Sequence, residues 1–262
     1  MDKKEKFLIV FAVLLQIFLM ISVDARDYSK DVYVYDRKGL YFANSKENIK
    51  KYYYRLDKGL RGIDVSKWQG DINWQKVKES GISFAMIRDG YGMKFPNQTD
   101  RYFHKNVMGA KKNNINCGVY HYSYASNKNE AVAEADFCWE TIRGYKFEYP
   151  VSFDIEEKRL QCLGRERLTG ICEAFCDRMR QRGYYVTIYT YHYWVKDYLI
   201  EDRLFSKYDL WLARYNWCPG HTCGMWQHSS EGIVNGIRSR VDLDIAYFDY
   251  PRINKELHLN GF

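Results

Sequence analysis

Proline is scarce, with four residues in 262, and together with a 46% apolar content this excludes collagen-like, proline-rich and low-complexity chains. No short-period internal repeat is present, which argues against repeat architectures. The seven cysteines show no zinc-ligand spacing. The basic excess, 40 Lys and Arg against 33 Asp and Glu for a formal net charge of +7, comes without a nucleic-acid motif or a clustered basic stripe. Nucleic acid is therefore set aside as a partner, and the charge favours another anionic polymer or surface. What is abundant is tyrosine: 24 Tyr and 7 Trp against 14 Phe, rings with a polar edge that suit a wet groove as well as a core. The length allows one large domain or two small ones.

Charged residues at 1–6 precede an almost unbroken apolar run, Phe7–Val23, and Val23-Asp24-Ala25 fits a cleavage site, so residues 1–25 read as a secretory signal. The alternative is a retained anchor, which would make the exported protein membrane-bound. The acids and lysines of this segment cancel, so the mature charge stays at +7. Residues 26–60 form an N-terminal extension without sustained periodicity, 61–250 a domain of regular alternation, and 251–262 a C-terminal tail. An odd cysteine count in an exported chain leaves at least one thiol outside intramolecular pairing. Cys172 and Cys176 share a helix with Ile171, Phe175 and Met179 and read as core residues, whereas Cys218 and Cys223, bracketing Pro219-Gly220, are the disulfide candidate. Asn97-Gln98-Thr99 is the glycosylation acceptor.

Eight strand-like runs occur at 62–66, 82–88, 117–124, 150–156, 185–190, 209–215, 225–229 and 241–248. Helical patterns lie at 72–80, 103–114, 127–144, 165–182 and 192–199, the third with a cap-like Asn127-x-x-Glu130. The last three strands leave no room for helices between them. These features predict an irregular α/β barrel of eight strands and about five helices, its helix-poor last strands partly antiparallel, because short connections favour antiparallel neighbours.

The fourth run, Pro150-Val-Ser-Phe-Asp154-Ile-Glu156, ends in two acids one residue apart. Strand alternation places Asp154 and Glu156 on one face, their Cα atoms about 6.6 Å apart from two rises of about 3.3 Å. Adjacent carboxyls at a barrel mouth repel, so one holds its proton and serves as an acid while the other stays charged, the minimum equipment for glycoside hydrolysis. Asp64 in the first strand and Asp242 in the last become neighbours if the barrel closes, which would gather four acids at the mouth. Asp244 could share the face of Asp242.

At these residues the chain resembles the secreted Chalaropsis-type lysozymes of glycoside hydrolase family 25, muramidases of bacterial peptidoglycan. The resemblance runs from about Arg61 to Tyr250 through Gly62-Ile-Asp-Val-Ser-Lys-Trp-Gln-Gly70, Met86-Ile-Arg-Asp-Gly-Tyr-Gly92, Gly118-Val-Tyr-His-Tyr122, Phe153-Asp-Ile-Glu156, Leu210-Trp-Leu-Ala213, Met225-Trp-Gln-His228 and Val241-Asp242-Leu243. It implies cleavage of the β-1,4 bond after N-acetylmuramic acid by a monomer, with Glu156 as general acid. Asp154 would stabilise the cationic intermediate or orient the substrate's N-acetyl group, and Asp64 and Asp242 would tune charge and hydrogen bonding. No metal or cofactor is implied. Arg214, where an uncharged polar residue is more usual before the tyrosine, and the seven cysteines depart from the pattern.

Beside the resemblance, Tyr120 and Tyr122 alternate onto one face with Tyr124 and are substrate-binding candidates, as are the rings of Trp68, Trp211 and Trp226. Arg88, ending the second strand, is a candidate partner for the acids. Two competing readings are a chitinase-like glycosidase, whose pattern wants an aspartate where this chain has Ser152, and a carbohydrate-binding barrel without catalysis, against which the presence of all four acids argues.

Overall fold

The computed structural model describes residues 32–36, 39–43, 55–93, 98–215 and 218–262. The export signal read at 1–25 and the acceptor Asn97 lie outside the described residues. Strands β1 (Val32–Asp36) and β2 (Gly39–Ala43) pair with each other in an antiparallel ladder. The remaining strands are β3 (Arg55–Val65), β4 (Phe84–Tyr91), β5 (Asn116–Tyr122), β6 (Val151–Asp154), β7 (Val186–Tyr191), β8 (Asp209–Ala213), β9 (Met225–Gly232) and β10 (Val241–Phe248). They close into an eight-stranded barrel in the order β10-β3-β4-β5-β6-β7-β8-β9.

Every ladder from β3 to β9 is parallel, and β10 alone runs antiparallel to both of its neighbours. The expected barrel, with its helix-poor last strands partly antiparallel, is therefore present: β10 supplies the antiparallel pairing, while β8 and β9 are parallel, the residues between Ala213 and Met225 being enough to return the chain to the same end.

Helices α1 (Trp74–Glu79), α2 (Phe103–Lys112), α3 (Lys128–Ile142), α4 (Arg165–Gln181) and α5 (His192–Tyr198) occupy the five expected positions. Two short ones are added, α6 (Glu201–Phe205) and α7 (Tyr250–Glu256), the second inside the segment read as a tail. α3 starts where its sequence signals: the Asn127 side chain accepts from Glu130 N at 3.0 Å, and the Glu130 carboxylate accepts from Ser126 N at 2.7 Å. α4 buries Leu168, Ile171, Cys172, Phe175, Cys176 and Met179 against the strands, about 1.5–3 kcal/mol for each large apolar side chain.

Inside the barrel a second layer, including Phe84, Met86, Tyr149, Trp211, Met225 and Phe248, fills the lumen below the mouth, with Phe84 and Tyr149 stacked 4.2 Å apart. Residues read as a tail seal the opposite end. Tyr250 and Ile253 of α7 are buried there, and Asn260 donates to Tyr149 O at 2.8 Å and accepts from Tyr185 N at 2.8 Å. No disulfide joins Cys218 to Cys223: Cys218 stays on the surface, while Cys223 turns into the core on the approach to β9. Cys172 and Cys176 are core residues as expected.

Candidate active site

Parallel strands deliver their C-terminal ends to one rim, and there a cleft of ≈ 340 Å³ opens. Asp64, Asp154, Glu156 and Asp242 all line it. Asp64 and Asp242 face each other directly across the β3–β10 ladder, and Asp154 lies in register between Tyr122 of β5 and Tyr189 of β7. Beyond the last residue of β6 the chain stays tied to β7, with Ile155 N donating to Tyr189 O (3.0 Å) and Thr190 Oγ1 to Ile155 O (2.6 Å). That keeps the alternation running for two more residues and brings Glu156 onto the face of Asp154.

Burial and mutual repulsion govern the acids. Burial, then the charges of Asp242 and Asp244, holds Asp64 far above the usual carboxylate range. Asp154 is likewise pushed up by burial and by Glu156, while the Arg88 guanidinium pulls the other way. Glu156 rises to about 7, first through burial and next through the Asp242 charge, and Asp242 to about 6, chiefly through burial. Of the central pair, Asp154 is the one with a cation favouring its charged form. Asp154 Oδ1 and Glu156 Oε2 also have no hydrogen-bond partner within the protein, a costly arrangement unless something else meets them in the cleft.

Arg88 does not bond the four acids. Its guanidinium grips Asp100 through Nε (3.0 Å) and Nη2 (2.8 Å), and Asp100 also accepts from the backbone N–H of Lys67 (2.8 Å) and Tyr102 (2.9 Å). One buried carboxylate thereby fixes two rim loops and leaves the Arg88 charge facing the cleft. Trp68 stands on the rim, 72% exposed, on a short 3₁₀ turn. Ser66 caps that turn, and Gln69 Nε2 ties it to Arg240 O at 3.2 Å. Tyr120 and Tyr122 line the cleft as expected.

The other two tryptophans are corrected. Trp226 faces out of the barrel, because on β9 it is Met225 and Gln227 that point inward; its Nε1 donates to Arg214 O at 2.9 Å. Trp211 borders the cleft but is buried, standing edge-on to Tyr120 and donating to Asp244 Oδ1 at 2.8 Å, so it braces the floor without offering a ring face.

Several contributors carried no readable signal. Gln227 Nε2 donates to Asp64 Oδ2 at 2.7 Å, and its Oε1 accepts from Tyr189 OH (2.9 Å) and Tyr215 OH (2.8 Å), joining three strands and the following loop in one network. Asp244, read from the sequence as able to share the face of Asp242, is held well above the carboxylate range by burial beneath the cleft. A lone glutamine or tyrosine has no diagnostic spacing; inward parity on β9 was the one clue to Gln227.

Behind the mouth, Asp89, His121 and Cys138 form a buried group close enough to hold a metal. Both ring nitrogens of His121 already face oxygen acceptors, Nδ1 to Asp89 at 3.1 Å and Nε2 to Gly92 O at 3.0 Å. A doubly protonated ring satisfies both, and neither nitrogen has a lone pair left for a cation. Burial opposes that charge, but Asp89 and then Glu134 push His121 upward on balance. The cluster is an internal ion pair that holds β4 and β5 together.

The family model described as glycosyl hydrolases family 25 matches residues 63–237. The autolytic lysozyme of Clostridium acetobutylicum is 29% identical over 188 residues, which is 71% of this chain and 55% of that protein. Lysozyme M1 of Streptomyces globisporus is 30% identical over 199 residues, 70% of this chain and 66% of that one. This chain thus spans little more than half the length of the first of these relatives. Among solved structures, the bacterial lysozyme from Streptomyces coelicolor superposes with a TM-score of 0.63 at 26% identity, covering 78% of this chain and 99% of that one.

Proposed function

The chain belongs to glycosyl hydrolase family 25, and from that premise we propose that it is a lysozyme, an N-acetylmuramidase that hydrolyses the β-1,4 bond between N-acetylmuramic acid and N-acetylglucosamine in bacterial peptidoglycan. The observation that carries the reading is the pair Asp154 and Glu156 at one face of the cleft, both raised by burial, Glu156 to about 7, with Arg88 the cation that opposes the rise at Asp154. Glu156 then holds a proton near neutrality and delivers it to the leaving glycosidic oxygen. Asp154 opposes the positive charge that develops on the sugar or on its N-acetyl group. The Asp242 charge helps to hold Glu156 protonated, and the exposed ring of Trp68 with Tyr122 offers apolar faces to sugar rings. Export through residues 1–25 belongs to the same proposal, with a mature chain beginning near Arg26, which N-terminal sequencing of the exported protein checks.

Mass spectrometry of fragments released from purified peptidoglycan tests the reading: reducing muramic-acid ends are expected. Ends on N-acetylglucosamine, or release from chitin in preference, would transfer the chain to the chitinase-like alternative. Glu156→Gln keeps the shape but has no proton to give, so turnover is expected to fall by at least about a hundredfold. Undiminished turnover in that variant would remove Glu156 from the acid role.

A further inference from the structure

On the outer side of the rim turn lies a second, larger concavity of ≈ 860 Å³ between α1, α2 and the connection from β9 to β10. The two hollows share their walls: Ser66, Trp68 and Gln69 border the cleft and Asp71–Asn73 the groove, while Ser230 and Asp242 border the cleft and Asn235–Arg238 the groove. A chain lying across the rim can therefore touch both.

The groove is built by close approaches. A Cβ on Gly109 would fall 2.3 Å from the Trp74 ring, so only glycine lets α2 settle against α1 there. Gly236, at φ +100, brings the β9–β10 connection onto the start of α1, where Asn73 N donates to Gly236 O at 2.9 Å; a Cβ would meet Asn73 O at 2.4 Å.

Its chemistry is cationic. Lys105 is paired with Asp71, the one acid of the lining. Lys76 on α1, Lys112 at the end of α2 and Arg238 on the connection form no ion pair with any described acid. Asn106, also in the lining and 1% exposed, has an Nδ2 donor without an acceptor. Three unpaired cations on three separate elements suit anions repeated along a chain better than one small ion, and the orphaned amide adds a donor for an oxygen ligand.

We propose that this groove is a second binding site for an extended polyanion of the bacterial wall, one that holds the polymer beside the cleft and raises the effective concentration of scissile bonds. Phosphodiester groups of wall-attached polymers and carboxylates of the peptidoglycan peptides share the required chemistry. The choice of a wall polymer rests on the muramidase reading, whereas the cationic groove does not.

The test uses the full chain carrying Lys76→Gln, Lys112→Gln and Arg238→Gln. In a Glu156→Gln background, which leaves walls intact, sedimentation with purified walls across a salt series is expected to show at least a tenfold loss of affinity and a shallower salt dependence. In the active background, turnover of a small neutral fragment is expected to stay within about twofold. Unchanged wall affinity, or a parallel loss of fragment turnover, overturns the site. If the triple variant fails to fold, Arg238→Gln alone against Arg238→Lys carries the comparison, with binding lost only in the former. Loss of groove-dependent binding on walls stripped of phosphate polymers assigns the phosphodiester; its persistence assigns the carboxylates, and both support the site. Absence of fragment turnover in the otherwise unsubstituted chain would overturn the muramidase reading while leaving the groove's binding measurable.

Discussion

Asp242 faces Asp64 across a ladder, yet its consequence for chemistry falls on Glu156, whose proton its charge helps retain. In Asp242→Asn that repulsion disappears, Glu156 loses its proton at lower pH, and the alkaline limb of the kcat/KM profile is expected to move down from its position near 7. At pH 7 the variant should be several-fold less active, with the loss largely recovered on the acidic side. A limb that stays in place while activity drops at every pH would make Asp242 a substrate contact instead. Asp154 and Glu156 were legible because carboxylates ending an apolar strand are conspicuous and strand parity decides which face they share, and Asp64 and Asp242 because closure makes the first and last strands neighbours. Trp226 was a candidate as an aromatic ring alone; the inward residue on β9 is Gln227, which has no recognisable pattern and depends on Asp64, Tyr189 and Tyr215 arriving from distant parts of the chain. Arg88 was legible as a charge near the site, but its partner Asp100 belongs to a loop whose conformation no periodicity records.

At the level of elements, strands and helices with a full apolar period were readable to within a few residues, since burial on one face imposes that period; the exception is β3, which begins at Arg55 and draws residues 55–60 of the expected extension into the barrel by pairing with β10. The orientation of β9 and the role of 250–262 were not, because both depend on how the barrel closes rather than on local pattern. Asn260 shows what the end of the chain does: its N–H donates to Gly183 O (3.0 Å), its C=O accepts from Phe147 N (3.0 Å), and its side chain bonds Tyr185 N and Tyr149 O. A single buried asparagine thus ties the C-terminus to the segments that lead into β6 and β7. Asn260→Ala removes the side-chain half of this junction and leaves a buried N–H and C=O without that partner, a cost of about 1–3 kcal/mol. Chemical denaturation should show that loss with an unchanged m-value, and fragment turnover at low temperature should stay near wild type because the cleft lies at the opposite end. A midpoint equal to wild type would mean that the Asn260 side chain contributes nothing to closing the barrel.

For the molecule as a whole, the acids divide into two populations with opposite effects on stability. Asp136 is held below the usual range by Arg178 and Arg182, and Glu173, despite burial, by Arg203 and Lys207. Their contribution is present above the ordinary carboxylate range and is lost as pH falls through it. The acids of the cleft, with Asp209 at the sealed end, are raised instead: Asp242 to about 6, Glu156 and Asp209 to about 7, and Asp64, Asp154 and Asp244 well above normal. Burial is the largest cause in each. Between the ordinary range and these values the folded chain binds more protons than the unfolded one, so stability falls as pH rises out of the ordinary carboxylate range and through the raised values. The two trends place maximal stability in acidic solution, at about the ordinary carboxylate range itself. Thermal unfolding in one buffer series at constant ionic strength should give a higher Tm at pH 5.5 than at pH 8, by several degrees. In Asp209→Asn, whose amide oxygen can keep the Leu210 and Gly224 N–H groups while its Nδ2 donates to the Tyr250 oxygen, that fall should be smaller, because one raised acid no longer ionises in the folded state. A Tm that does not fall between pH 5.5 and 8 would show that the cleft acids are far better solvated than their burial implies.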